Sequence, residues 1–519
     1  MVWHIFKKDW KLIWVFVVMM AALQGITELV LAKARLSDDS PMLTLLAQNL
    51  PMGMFFAVMF LIAAIVLLDA IPGVRQDWLI RPIRRRDLLL EKLLFAVIAV
   101  EGPILLANVV LGLASGFSFR SVLLVSTERV VYLLFFLVLP IFAFASVTKN
   151  MAEAFIFACG CTFVTAVIAT IIDYVNTNAN GTLTTIQRTG IGWIGELIRF
   201  AIVLVAAVVI LRFQYFFRKT FLSRAFVLFF GFLLLIVAFL PWKAAFAIEE
   251  RLSLHPAAAR NLSVAFNPQV GRYKDPSGLG NSVYIAANGS YTDLFLPLRV
   301  SGMHAGEVLL TDHSELRILG PGGKLVRRSK TIGIEVENAG SDLAGESRHQ
   351  RITLPASLYR QILDQAVQVE LDYSFTLFDL GKSYAIPAIS GDERMPGWGW
   401  CQTKLNDADT GVNMKCIAAG NAPSCSGIFL ENSSTGIQNP ERFRCWPNYS
   451  PYSARPLPDA FTRFIAVIPF RDPSGLAKYP VDGSQLPNSR VVLQMYEPEA
   501  HFTRSVEISQ IKLGDWLPQ

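Results

Sequence analysis

Seven long apolar stretches occupy the first half of the chain, and they decide what it can fold into. They cover residues 12–32, 53–73, 91–114, 128–148, 152–172, 193–212 and 224–246. Each is near the ~20 residues that an α-helix needs to cross a hydrocarbon core. A helix is favoured there because it satisfies every backbone N–H and C=O group without water. The sequence therefore predicts a polytopic α-helical membrane bundle of about seven spans over residues 1–246.

The composition agrees with extensive burial in lipid. Hydrophobic residues make up 53% of the 519 residues and charged residues only 17%, which is unusual for a soluble enzyme. The formal charge of +6 does not indicate nucleic acid, because the basic residues cluster at the ends of apolar stretches. We therefore expect no nucleic-acid partner and treat the excess charge as a membrane orientation signal.

Lysine and arginine concentrate in alternate connecting segments, as the positive-inside rule requires if each stretch crosses once. The richer set is Lys7, Lys8, Lys11, Arg75, Arg81, Arg84, Arg85, Arg86, Lys149, Arg212, Arg218, Lys219 and Arg224. The chain is thus predicted to be an integral protein of the cell (inner) membrane. Its N-terminus would lie in the cytoplasm, and the region after Phe246 would be exoplasmic or periplasmic. The stretches within 128–172 form either two full spans or a re-entrant hairpin. If the number of crossings there is misassigned, the C-terminal region would lie on the opposite side of the membrane.

The first residues suit a helix at the membrane surface. Aromatic residues and lysines are mixed at helical spacing over residues 3–11, which predicts an N-terminal interfacial helix. The alternative is a signal peptide cleaved near Ala32-Lys33-Ala34. Because stretch 12–32 is longer than a typical signal sequence core, we favour a retained span.

Residues 247–519 are predicted to form a soluble, mainly-β domain. Residues 367–377 alternate apolar and polar side chains, the pattern of a half-buried strand. Less regular stretches of this kind cover 293–300, 308–319, 324–336, 464–470, 490–496 and 505–513. Several short strands joined by turns favour a sandwich-like fold, with one short helix near residues 357–365.

Four cysteines in this polar region, Cys401, Cys416, Cys425 and Cys445, indicate an oxidising compartment. Three pairings are possible. We favour Cys401–Cys416 and Cys425–Cys445, because short loops close at the lowest entropic cost. Cys159 and Cys161 lie within an apolar stretch and are interpreted as packing or lipid-buried thiols.

No motif for catalysis or cofactor binding emerges. Residues 320–325, Gly-Pro-Gly-Gly-Lys-Leu, lack the hydroxyl residue of a phosphate-binding loop and predict a hairpin turn. Residues 406–413 resemble an acidic calcium loop but have no bidentate glutamate at the required offset, so a polar turn is favoured. We expect no enzyme activity, metal or cofactor on this chain.

Polar groups inside the apolar stretches are candidates for function, because they are costly in lipid. They are Glu28, Asp69, Glu101, Asn108, Glu196 and Arg199. Glu28, Asp69 and Glu196 have the alternative of lying at wet span ends. Glu101 is central in its stretch and precedes Gly102-Pro103, so it and Asn108 are candidate transport-path residues. A kinked, helix-packing position is the equal alternative for Glu101.

A short basic segment separates the second and third stretches. It reads Asp77, Trp78, Leu79, Ile80, Arg81, Pro82, Ile83, Arg84, Arg85, Arg86 and Asp87. Apolar and guanidinium side chains in one segment suit a surface helix that contacts anionic headgroups or a protein. A plain basic cytoplasmic loop is the alternative.

The order of these features over residues 1–220 resembles the membrane-spanning permease subunits of ATP-binding-cassette (ABC) exporters, in particular the six-span type-2 permeases. The resemblance implies a dimeric pathway, with a second permease copy or a paralogue, and a separate cytoplasmic ABC ATPase that binds the ATP. It implies that segment 77–87 docks on that ATPase. Trp78, Leu79 and Ile80 would fill an apolar slot, Arg81 and Arg84 to Arg86 would meet acidic residues at its rim, and Pro82 would interrupt the helix.

The seventh span and the large exoplasmic domain depart from that family's pattern. They leave open the substrate, the direction of transport and the ligand of the β domain. A function of a different class also stays open, in which the spans anchor a β domain that acts as a receptor or assembly module for a protein, glycan or lipid.

Overall fold

In the computed structural model of the chain, helices fill the N-terminal half and β-sheets the C-terminal half. The structure describes residues 2–36, 41–68, 84–180, 192–237, 242–273, 291–330, 335–337, 347–396, 398–406, 408–419, 425–440, 442–445, 461–471 and 479–517. The change from helix to strand falls near residue 250, close to the predicted boundary between the apolar and polar regions.

Ten helices precede the first strand within the described residues. They are α1 (Val2–Leu36), α2 (Pro41–Leu67), α3 (Arg85–Ala96), α4 (Gly102–Ala114), α5 (Phe119–Leu133), α6 (Leu139–Ser146), α7 (Met151–Asn180), α8 (Gly192–Leu211), α9 (Thr220–Val237) and α10 (Trp242–Arg251). Wider π-helical turns join α3 to α4 (Val97–Glu101) and α5 to α6 (Leu134–Val138), and one follows α8 (Arg212–Phe217). Such turns are frequent at functional sites.

Six segments of the described chain are long and apolar enough to cross a membrane. They are Val2–Leu31, Leu45–Leu67, Arg86–Ala114, Phe119–Ser146, Leu197–Phe217 and Thr220–Val237. The prediction of membrane-spanning helices is therefore confirmed, whereas a total of seven spans is not. The remaining stretch, 152–172, lies within the single helix α7. The N-terminal residues predicted to lie at the interface are the first turns of the continuous helix α1.

Helices α1 to α6 and α8 share one hydrophobic core. Side chains such as Val58, Ile62, Phe95, Val100 and Phe142 are fully buried in it. The outer faces of the same helices carry exposed large apolar side chains, among them Phe16, Phe56 and Leu106. A helix that is apolar all round suits a bundle whose surrounding solvent is lipid.

The C-terminal half forms three antiparallel sheets in the described residues. The strands are β1 (Ser263–Phe266), β2 (Tyr291–Ser301), β3 (Val308–Leu319), β4 (Leu325–Lys330), β5 (Glu335–Glu337), β6 (Ser347–Pro355), β7 (Ala366–Pro387), β8 (Asp392–Met395), β9 (Gly399–Leu405), β10 (Gly411–Ala419), β11 (Cys425–Asn432), β12 (Arg442–Cys445), β13 (Phe461–Pro469) and β14 (Ser489–Lys512). The sheet orders are β1-β2-β6, β13-β10-β9-β8 and β12-β11-β14-β7-β3-β4, with β5 also paired to β3. The short helix α11 (Ala356–Ile362) overlaps the helix predicted near residues 357–365 and ends three residues earlier.

The long strands β7 and β14 form a ribbon that serves two separate hydrophobic cores. One half of the ribbon, with Tyr373 and Phe375, packs with β2 and β6. The other half, with Ile386 and Leu493, packs with the sheet of β8, β9, β10 and β13. A mainly-β domain is thus confirmed, but the predicted sandwich is not, because two smaller sheets share one long ribbon.

The structure describes the strands that carry the four clustered cysteines and the predicted turn at residues 320–325. Cys401 on β9 is bonded to Cys416 on β10, as predicted. Cys425 is disulfide-bonded and pairs in backbone register with Cys445, whose side chain lies outside the described residues, so the Cys425–Cys445 bridge stays a prediction. Residues 320–324 turn between β3 and β4, where Gly322 has φ 80°.

Helix α10 and the turn between α4 and α5 both contact the β domain. Helix α10 lies against the sheet, and Lys243 forms an ion pair with Asp372 (2.7 Å). The turn between α4 and α5 also contacts the domain, because the rings of Phe117 and Phe461 stack at 5.4 Å. Next to it, Arg394 donates a hydrogen bond to the carbonyl of Gly116 (3.1 Å).

Removing the Cys401–Cys416 bridge should destabilise the β domain. The bridged cysteines are 15 positions apart in the sequence. For a loop of this length, the restriction of the unfolded chain contributes ~3 kcal/mol to the free energy of unfolding. We expect a Cys401→Ala/Cys416→Ala variant of the full chain to unfold at a lower temperature by tryptophan fluorescence. Alanine avoids placing hydroxyls at two fully buried positions. Cys159→Ser, at an exposed thiol on α7, is the control, and equal midpoints for all three proteins would contradict the prediction.

Candidate functional site

A buried arginine joins three helices inside the bundle. Arg129 on α5 forms an ion pair with Glu28 on α1 (2.6 Å), and its Nη1 donates to Asn108 Oδ1 on α4 (2.7 Å). The side chains of Arg129 and Glu28 are only 4% and 6% exposed. Charge-assisted bonds of this kind are strong and directional, so they fix the three helices relative to one another.

A second carboxyl group, that of Glu101, lies next to this arginine. It is 2% exposed and ends the π-helical turn between α3 and α4. Arg129 acts on it electrostatically, but within the described residues neither carboxyl oxygen has a hydrogen-bond partner. A buried carboxyl group without such a partner is costly and requires an explanation. We call Glu28, Glu101, Asn108 and Arg129 the charge cluster.

Other polar atoms in the neighbouring helices also lack partners within the described part of the chain. They are Gln24 Oε1, Asn108 Nδ2 and Ser126 Oγ. Gln24 is anchored by its Nε2, which donates to the carbonyl of Val100 (3.1 Å). The bundle thus offers both donors and acceptors in a buried region. Such a set is chemically able to bind water or a polar ligand or to relay a proton.

A second buried ion pair lies near the start of the helices. Lys92 on α3 is paired with Asp9 on α1, and both side chains are at most 1% exposed. Around it, the ring of Phe95 contacts the rings of Phe6 (4.9 Å) and Trp10 (5.9 Å). We call the pair the anchoring pair, because it connects the first turns of α1 and α3. Helix α3 begins at Arg85, within the last residues of the basic segment.

The structure brings the two predicted transport-path residues together but does not describe most of the basic segment. Glu101 and Asn108 both belong to the charge cluster. Asp77, Trp78, Leu79, Ile80, Arg81 and Pro82 lie outside the described residues. Arg84 precedes α3 in an extended conformation, Arg84 and Arg86 are exposed, and the Arg85 side chain is not described. The docking role of this segment stays a prediction.

The other polar residues predicted within the apolar stretches lie in different environments. Glu28 does not lie at a wet span end, because it is buried against Arg129. Arg199 is exposed on α8. Asp69 and the side chain of Glu196 lie outside the described residues.

Sequence reasoning missed Arg129 and Lys92, and for the same reason. Both were placed at the first residues of predicted stretches, 128–148 and 91–114, where a basic residue is ordinary. The helices begin earlier, at Phe119 and Arg85. One signal was available, since Ser118 is a good helix N-cap and its side chain accepts a bond from the Ser121 N–H.

Comparisons with known proteins do not identify a family for this chain. No protein-family model matches it, and no characterised protein does. Among solved structures it is similar to a bacterial adhesin from Mobiluncus mulieris containing intramolecular disulfide, isopeptide and ester bond cross-links. That likeness covers 47% of this chain and 96% of the adhesin, at 10% identity and a TM-score of 0.11. A likeness this slight establishes neither fold nor function.

Breaking the Arg129–Glu28 pair should destabilise the bundle strongly. Removing one partner leaves the other charge buried and costs about 3–5 kcal/mol. We therefore expect Arg129→Met and Glu28→Gln each to lower the thermal midpoint of the purified chain in detergent. The double variant should lose clearly less than the sum of the two, because it leaves neither partner charged. Strictly additive losses would show that the pair is not coupled.

Proposed function

We propose that this chain is the transmembrane subunit of an ATP-driven ABC exporter of the type-2 permease kind. In this proposal it crosses the membrane seven times, with α7 as the fifth span. Its N-terminus faces the cytoplasm of the cell (inner) membrane, and its β domain is exoplasmic or periplasmic. A second permease chain completes the pathway, and a separate cytoplasmic ATPase binds and hydrolyses the ATP.

The observation that carries the proposal is the anchoring pair. The last residues of segment 77–87 form the start of α3, and Lys92 lies only two turns further along that helix. Because Lys92 is paired with Asp9 in a buried position, a displacement of the segment would move α1 together with α3. A simple connecting loop needs no such buried connection, whereas a segment that transmits force does.

The charge cluster would extend this movement across the bundle. Helix α3 continues through the π-helical turn into α4, which carries Asn108. Asn108 and Glu28 both bind Arg129, so α1, α4 and α5 would shift as a unit. Glu101, in the turn itself, is the group that we assign to the transport path. A rearrangement that exposes Glu101 to a polar cargo would supply the hydrogen bonds that its carboxyl oxygens lack within the described part of the chain.

The proposed movement of the helices would also reposition the β domain on the exoplasmic side. The turn between α4 and α5 contacts it through Phe117 and Phe461 and through the bond from Arg394 to Gly116. A tilt of α4 and α5 would therefore reposition the domain, which suits a role in receiving cargo or in contacting an exoplasmic ligand. This contact also supports placing that turn and the β domain on the same side of the membrane.

Replacing Trp78 should uncouple the chain from its ATPase without preventing membrane insertion. In the proposed dock, Trp78 fills an apolar slot, and a buried carboxylate there would be costly. We expect Trp78→Asp to abolish co-purification of an ATPase in mild detergent, with unchanged amounts of the chain in the membrane. Trp78→Phe is the matched control and should retain the partner.

Two outcomes would count against this coupling. Undiminished co-purification by Trp78→Asp would remove the docking role of the segment. If the unaltered chain captures no ATPase at all but captures an exoplasmic protein or glycan, the anchored receptor or assembly module becomes the better interpretation.

The orientation can be tested with two introduced cysteines. Lys149 lies between α6 and α7, Lys324 lies in the turn between β3 and β4, and both are exposed. In a background with Cys159 and Cys161 replaced by serine, Lys324→Cys should react with a membrane-impermeant maleimide on intact cells. Lys149→Cys should react only after permeabilisation. The reverse pattern would overturn the proposed orientation.

A further inference from the structure

A groove of about 610 Å³ lies between α7 and α9 on the outside of the bundle. Its walls are apolar, with Ile156 and Phe157 on one side and Val227 and Phe232 on the other. One end is polar, where Glu153 on α7 is paired with Arg224 on α9 (2.6 Å). The proposed ATPase coupling makes no use of this groove.

The groove is about as long as one leaflet of a bilayer. It extends from Glu153 to Val164 along α7 and from Arg224 to Leu235 along α9. About eleven residues at 1.5 Å per residue span ~16 Å, close to half of a hydrocarbon core of about 30 Å. Since both helices begin at the polar end and run away from it, the apolar part is oriented like an acyl chain below its headgroup.

Two glycines keep the groove open. Gly160 on α7 and Gly231 on α9 both line it. A Cβ atom added at either position would meet no other heavy atom within 4 Å. Larger side chains there would enter the groove instead of a neighbouring helix, so the space depends on these residues.

The polar end is held in place and is predominantly cationic. The Nε and Nη2 atoms of Arg224 donate to the carbonyl of Val147 (3.1 and 2.9 Å), and Nη2 also donates to Glu153. Nη1 takes part in none of these bonds and carries two further N–H donors. Lys149 lies two residues before the start of α7, Lys219 directly precedes α9, and both are exposed. Arg224 and Lys149 both act electrostatically on Glu153, so two cations face one carboxylate that is already paired.

We propose that this groove binds an anionic phospholipid. Its phosphate lies at Arg224 and Lys149, and one acyl chain lies over Gly160 and Gly231. The occupant is an anionic lipid because the excess positive charge selects a negative headgroup and the apolar groove accepts a chain of one leaflet's length. Under the proposed orientation this is a lipid of the cytoplasmic leaflet.

Native mass spectrometry of the purified full chain tests the proposal. The chain, in an uncharged detergent, receives equal amounts of phosphatidylglycerol and phosphatidylcholine with identical acyl chains. We expect phosphatidylglycerol to be retained over phosphatidylcholine by about fivefold or more, the factor for one cation near an anionic group. Gly231→Leu and Gly160→Leu should each reduce the retained lipid by about tenfold, because leucine occupies the space of the chain.

Charge variants separate headgroup recognition from chain binding. Lys149→Gln leaves the Arg224–Glu153 pair intact and should lower the preference for phosphatidylglycerol while phosphatidylcholine retention stays unchanged. Gly25→Leu and Gly53→Leu are the matched controls. Both glycines lie in helices outside the groove and have equally open space at Cβ, so both variants should retain phosphatidylglycerol like the unaltered chain.

Three results would overturn the proposal. They are equal retention of the two lipids by the unaltered chain, undiminished retention by both Gly160→Leu and Gly231→Leu, and an equal loss in the control variants. A change from dimer to monomer in the groove variants, without a change in bound lipid, would assign the groove to a second copy of the chain. Loss of ATPase co-purification is a separate measurement, so failure of this proposal leaves the coupling proposal testable.

Discussion

The helical bundle depends on the way it holds a buried positive charge. A guanidinium group in a region without water is tolerated only if its charge and its N–H donors are matched. Arg129 meets this requirement at Nη1 and Nη2 by binding Asn108 and Glu28, which come from two other helices. The requirement therefore fixes the helix arrangement as well as the charge. The anchoring pair of Asp9 and Lys92 applies the same constraint near the starts of α1 and α3.

Glu101 differs from these groups in a way that matters for function. Glu28, Asn108 and Arg129 hydrogen-bond to one another, whereas both carboxyl oxygens of Glu101 have no hydrogen-bond partner within the described residues. It also lies in a π-helical turn followed directly by Gly102 and Pro103. A helix is most easily bent where its regular bonds are interrupted. A buried carboxyl group without a hydrogen-bond partner in the described residues thus lies where the helix is most easily bent, which suits the transport path that we propose.

Sequence predictions that rest on local patterns were confirmed, whereas features that depend on contacts between distant residues were not foreseen. Apolar stretches of span length and the alternation over residues 367–377 are local patterns, and both produced the expected elements. The Cys401–Cys416 bridge was also foreseen, because a short loop favours it. The sandwich was not confirmed, since periodicity does not reveal that β7 and β14 each serve two cores. Arg129 and Lys92 escaped notice because a basic residue near a predicted span end usually reaches water.

The sequence by itself determined that the first half of this chain forms helices long and apolar enough to cross a membrane and that a polar, mainly-β region follows. Lipid imposes a strict demand on length, hydropathy and backbone hydrogen bonding, and that demand is visible in every stretch. Only the tertiary structure decided which buried charges meet, how the turn at Phe117 contacts Phe461, and that an open groove separates α7 from α9. These features join residues as far apart as 101 and 344 positions in the chain. A single sequence contains no periodic signal that specifies such pairs.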